Sequence, residues 1–191
     1  NTANSSGTVG TKTNHPFSIY SNNQPRMTIA SDGTVSTTQD ITVNGMTVGR
    51  GGGDVSNNTA VGNQALASNT TASYNTAVGY QALADSNGAG NTAVGRLAGV
   101  NISSGIHNTA IGEQTLTQLN TAANCTAVCR FSLPIATGGQ NTALGTAAGS
   151  TLTTGTNNTL IGYDAKPSSP TVSNEVTIGN TNVTSTRLRG E

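Results

Sequence analysis

Tryptophan is absent from this 191-residue chain, aromatic residues make up 3% of it, and charged residues only 8%. So few large side chains argue against an ordinary helical or α/β globule, whose core depends on them. Lys and Arg number 8 and Asp and Glu also 8, giving a formal net charge of zero. Without a basic cluster there is no electrostatic footprint for nucleic acid or for an anionic membrane surface. No stretch approaches the roughly 18 apolar residues of a membrane span, and no charged-then-apolar N-terminal segment reads as a signal peptide. Nucleic acid and membrane insertion are therefore not expected among its interactions. Simple disorder is also disfavoured, because it usually accompanies high net charge. The first residue is Asn1, not Met, which points to a processed form or a piece of a longer chain.

What the chain does contain is small and polar: 33 Thr, 23 Asn, 18 Ser and 24 Gly. Their order is periodic. Segments beginning at Asn58, Asn75, Asn91, Asn108, Cys125, Asn141, Asn158 and Glu175 read NTAVG, NTAVG, NTAVG, NTAIG, CTAVC, NTALG, NTLIG and EVTIG, at steps of 16 or 17 residues. A second half follows each, as in Gln64-Ala65-Leu66 and Gln81-Ala82-Leu83, and then Ser, Thr, Asn and Gly in turn-forming clusters. Such a unit is too short for two helices and fits two short strands with two turns, one coil of a parallel β-solenoid. The expected class is all-β, with about eight coils over residues 58–183.

Period-2 alternation puts Thr59 and Val61 on one face and Asn58, Ala60 and Gly62 on the other. The bulkier column, Val61, Val78, Val94, Ile111, Val128, Leu144, Ile161 and Ile178, is the expected interior. Leu66, Leu83, Leu116 and Leu133 would face it, with Gly99 and Gly149 in their place where the interior tapers or a neighbour approaches. Ala60, Ala77, Ala93, Ala110, Ala127 and Ala143 then form a flat strip, read as an interface between identical chains. Cys125 and Cys129 fall on that same strip. Residues four apart in a strand lie about 13 Å apart, beyond the roughly 7 Å a disulfide allows, so they are expected to be free or bonded between chains.

Residues 1–50 lack the repeat. Phe17–Tyr20 and Arg26–Ile29 alternate as strands, and Asn44-Gly45 between Ile41-Thr42-Val43 and Met46-Thr47-Val48 signals a tight hairpin. Arg50-Gly51-Gly52-Gly53-Asp54 lacks the Lys-Ser/Thr of a phosphate-cradling loop, so residues 51–57 are read as a flexible Gly-rich junction. Residues 184–191 are read as a tail leading onward.

Several residue patterns bear on chemistry. The acids are Asp32, Asp40, Asp54, Asp85, Glu113, Asp164, Glu175 and Glu191. Glycoside cleavage needs two carboxylates about 5–10 Å apart, and within the repeats only Asp164 and Glu175 lie in neighbouring units, at non-equivalent positions. His15 and His107 sit in different modules, so no Ser-His-acid set forms, and no cluster has metal-ligand spacing. The expectation is no enzyme and no cofactor. Thr59, Thr76, Thr92, Thr109, Thr126, Thr142 and Thr159 form a column that invites an ice-binding reading. Sharing a face with the expected buried Val argues instead for hydroxyls that satisfy backbone at a corner. The Asn column is read as a ladder of stacked amides. The residue after each Gly makes another column, in which Arg96, Glu113 and Arg130 would form a plus-minus-plus ladder if the coils stack in register.

The run Asn14-His15-Pro16-Phe17-Ser18-Ile19-Tyr20 with Arg26-Met27-Thr28-Ile29 and Asp32-Gly33-Thr34-Val35 resembles a module of bacteriophage tail-fibre proteins. Asn75 to Leu83, NTAVGYQAL, resembles the arrays that follow that module. It is also similar to the head repeats of trimeric autotransporter adhesins, closest at Glu175-Val176-Thr177-Ile178-Gly179. The run from Ile178 to Arg189 resembles the boundary before a self-cleaving chaperone domain. The resemblance implies a homotrimer of left-handed parallel β-rolls within an extended fibre of a virion. Its implied partners are other tail or fibre proteins and a host-surface polysaccharide or protein. The alternatives are a bacterial surface adhesin and a solenoid polymerising end to end into an extracellular filament.

Overall fold

The computed structural model describes residues 10, 11, 13–185 and 187. The expectations placed on Asn1 and on Leu188, Arg189 and Glu191 lie outside these residues. The chain divides into two compact units, Asn1–Ile41 and Thr42–Glu191.

In the first unit, β1 (Phe17–Ser21), β2 (Gln24–Ile29) and β3 (Val35–Thr37) form an antiparallel sheet in the order β1-β2-β3. Asn22 and Asn23 turn between β1 and β2 at φ 55° and 57°, a region Asn tolerates better than most residues. Asp32 accepts the Thr34 N–H at 2.9 Å and closes the next turn.

The second unit begins within β4 (Ile41–Val43), which is followed by β5 (Met46–Gly49) and joined to it at Asn44-Gly45 with φ 50° and 80°. Positive φ at both central residues is what a type I′ hairpin requires. The sequence reading grouped this hairpin with residues 1–50. In the structure β5 pairs antiparallel with the first repeat strand, setting Val48 opposite Val61. The glycine stretch that follows is also engaged, since the Gly52 N–H donates to Leu66 O at 2.8 Å, and Gly52–Asp54 form a 3-10 turn.

The repeats are a parallel β-solenoid of about seven turns. Its rungs are β6 (Thr59–Gly62), β7 (Thr76–Val78), β8 (Thr92–Val94), β9 (Thr109–Ile111), β10 (Thr126–Val128), β11 (Thr142–Leu144), β12 (Thr159–Ile161) and β13 (Val176–Ile178). Each pairs in parallel with the next, equivalent residue to equivalent residue. Backbone hydrogen bonds also join successive coils beyond the strands, as from Gln81 N to Asn63 O and Leu83 N to Ala98 O.

The two faces of the repeat strand are the reverse of the sequence expectation. Ala60, Ala77, Ala93, Ala110, Ala127 and Ala143 are 0% exposed and line the interior. The aliphatic column points outward: Val61, Val78, Val128 and Ile161 are half-buried, and Val94, Ile111, Leu144 and Ile178 are 38%, 39%, 48% and 45% exposed. The reason is room. The interior is filled from the opposite wall by Leu66, Leu83, Leu116 and Leu133, all fully buried, so only a methyl group fits on the strand side. Where the wall carries Gly99 or Gly149, the cavity does not taper. Ile102 and Leu152, three residues on, enter it instead, and a Cβ on Gly99 would come within 2.9 Å of the Ile102 Cδ1. In the seventh repeat Lys166 occupies the Leu position and is exposed, and there the inward strand residue is Leu160 rather than Ala. In these three coils a larger side chain enters from another position where the usual Leu is missing, as close packing demands.

Candidate functional site

The repeat sheet offers solvent two ranks of side chains, one of Thr and one of aliphatics, with the buried Ala between them. The seven strand threonines, Thr59, Thr76, Thr92, Thr109, Thr126, Thr142 and Thr159, lie half-buried or exposed on this face. The sequence reading had their hydroxyls satisfying backbone. Among the described residues none of the seven has a side-chain hydrogen-bond partner, so these hydroxyls face water.

Beside the aliphatic rank runs the glycine column. Gly79 has φ 134°, and a Cβ there would meet Gly95 O at 2.6 Å. Neighbouring coils stack too closely for a side chain. Cys129 interrupts this column at φ 89°. It is half-buried, whereas Cys125 is fully buried, and both thiols are free. Cys125 takes an Asn position inside the coil, which removes it from any interface. Its Sγ donates weakly to Gly138 O at 3.5 Å, and burial pushes its thiol pKa up. The six alanines are removed from the interface role by the same burial.

Next along the chain lies the charged edge. Arg96 Nη2 donates to Glu113 Oε1 at 2.5 Å and Arg130 Nε to Glu113 Oε2 at 3.2 Å, across two successive coil contacts. The hydrogen bond from Arg96, assisted by Arg130, holds the Glu113 carboxyl below the usual carboxylate range. Arg130 also stacks over the Phe131 ring at 4.0 Å.

The Asn column holds the corners differently from a side-chain ladder. Asn91 Oδ1 accepts the backbone N–H of Asn108 at 2.9 Å, and its Nδ2 donates to Gly88 O and Gly105 O at 3.0 and 2.8 Å. Asn58, Asn75, Asn108, Asn141 and Asn158 likewise accept the backbone N–H that opens the next coil. Only Asn158 Nδ2 to Asn141 Oδ1, at 3.1 Å, is an amide-to-amide bond within the column. At the last rung Glu175 replaces Asn and turns back to accept from the Ser168 N–H and hydroxyl. These bonds lower its pKa.

The acids and histidines that bear on catalysis are dispersed. Asp164 pairs with Lys166 at 3.1 Å, while Glu175 is engaged with Ser168 and Thr177. His15 bonds to Thr13 Oγ1 in the first unit, and His107 lies over Gly90 in the second. Among the described residues no three His, Cys, Asp or Glu side chains gather as metal ligands, and no helix is long and apolar enough to cross a membrane. The outward aliphatic rank is the feature sequence reasoning misplaced. The available signal was volume, since Leu in the second half-coil leaves no room for Val opposite. Comparison with known proteins finds no matching family, curated protein or solved structure.

Proposed function

We propose that this chain is a structural segment of a phage tail fibre, a homotrimeric shaft or head of left-handed β-rolls that spans to or presents a host-receptor-binding region. The observation that carries the reading is the bonding along the stack. Equivalent residues pair rung to rung, and Asn side chains tie each corner to the next, so the repeats form one stiff element about 34 Å long at roughly 4.8 Å per rung. Stiffness over distance is what a spacer must supply. The resemblance of Asn14–Val35 and of the NTAVG units to fibre modules supplies the context. End-to-end polymerisation is disfavoured, because antiparallel β5 covers the β6 edge that a further parallel coil would need. Antibodies against residues 58–183 should decorate the tail fibres of virions encoding the chain by immunogold electron microscopy. Label on the envelope of uninfected cells would place it instead among surface adhesins.

A further inference from the structure

The outward aliphatic column is longer than the repeats. Val48 of β5 stands opposite Val61 and is itself exposed, so the column runs Val48, Val61, Val78, Val94, Ile111, Val128, Leu144, Ile161, Ile178 without a break. No charged side chain lies in it or in the Thr rank beside it. Its other flank is the glycine column, interrupted by Cys129, where the backbone of the next coil lies too close for a side chain. Charge depletion with a continuous apolar centre is the composition of an interface core, and a stripe this long on a free chain marks an interaction surface.

The periodicity points to the occupant. Side chains repeating at the rung spacing are matched along their whole length by a surface with the same spacing, as in the dry interfaces between identical sheets. Another copy of this chain supplies that surface without further design. Rotation about an axis parallel to the stack keeps every rung at its own height, so Val94 meets Val94 and Ile111 meets Ile111. The Thr hydroxyls, having no protein partner, stay at the hydrated rim, since burying them unpaired would be costly. A stripe one residue wide is covered on one side by a single partner and on both sides when three stripes converge on the axis.

We infer that further copies of this chain pack in parallel on the Val48–Ile178 column, rung opposite rung, about an axis running along the stack. The inference rests on the fibre reading and specifies the surface that joins its chains. Light scattering and circular dichroism on the full chain test it. Val94→Glu and Ile111→Glu should reduce the assembly to the mass of one chain while keeping the β spectrum, because both side chains face outward. Ser104→Glu, exposed on another rank, should leave the assembly intact. Leu144→Cys in a Cys129→Gly background should cross-link copy to copy under mild oxidation, giving a doubled band on a non-reducing gel. An oligomer that survives both Glu substitutions without forming the Leu144→Cys cross-link overturns the surface and leaves the fibre reading standing. A wild-type chain that stays monomeric at every concentration overturns both. A monomer that also slows ice recrystallisation would assign the face to ordered water instead.

Discussion

The two cysteines show how one coil departs from its neighbours at the residue scale. Cys129 holds a left-handed φ of 89° in a column otherwise made of glycine. A side chain in that region carries strain of about 1–3 kcal/mol, part of which returns as the greater unfolded-state entropy of Gly. Cys129→Gly should therefore raise stability by about 1 kcal/mol, read as an increase in melting temperature. Reactivity should separate the two thiols. In the native protein a disulfide reagent should titrate the half-buried Cys129 readily. Cys125, buried and with its pKa raised by desolvation, should react only as the chain unfolds. Two fast-reacting thiols in the folded state would contradict the burial of Cys125.

At the scale of the element, contacts between rungs set register. Asn91→Ala would leave the Asn108 N–H and the Gly105 carbonyl without their side-chain partner, while the Gly88 carbonyl keeps the Ser86 hydroxyl. Each buried group left unsatisfied costs about 1–3 kcal/mol, so a loss of at least about 2 kcal/mol is expected in denaturant melts. Cys125→Asn should act in the opposite direction, because it restores an amide acceptor where the column is interrupted. Glu113 makes a pH-dependent contribution. Its folded pKa is depressed, so the stability it adds is present above the unfolded carboxylate pKa and fades as pH falls through the lower folded value. Melting temperature should drop over that acidic window in the wild type and drop less in Glu113→Gln. Glu113→Lys, placing three like charges in a row, should lower it more than Glu113→Gln at neutral pH.

Over the whole molecule, stability should be graded along the stack. A solenoid is held by nearest-neighbour contacts, so coils with two neighbours open less often than coils at an end. Amide hydrogen exchange should be slowest in β8 to β11 and faster in β13, whose outer edge pairs with no further rung among the described residues. The β6 edge, paired with β5, should exchange more slowly than β13. Uniform protection across all rungs would mean that the stack opens only as a single unit.

The sequence alone determined the class of fold, because eight NTAVG-like segments at 16- or 17-residue steps leave room for a coil and for little else. It also determined which residues share a face, since the two-residue period of a strand admits no other grouping. The Asn44-Gly45 hairpin and the adjacency of Arg96, Glu113 and Arg130 follow from equally local rules of turn geometry and repeat spacing. Which face turns inward was decided only by the tertiary structure. Alternation is symmetric between the faces, and hydrophobicity favoured Val over Ala for the interior. The winning constraint was the width of the coil. Leu66 and its equivalents fill the space from the far wall, and a methyl group is all that the near wall can admit. The same packing brings Ile102 and Leu152 inward beside Gly99 and Gly149, and sends the Val and Ile column out to water.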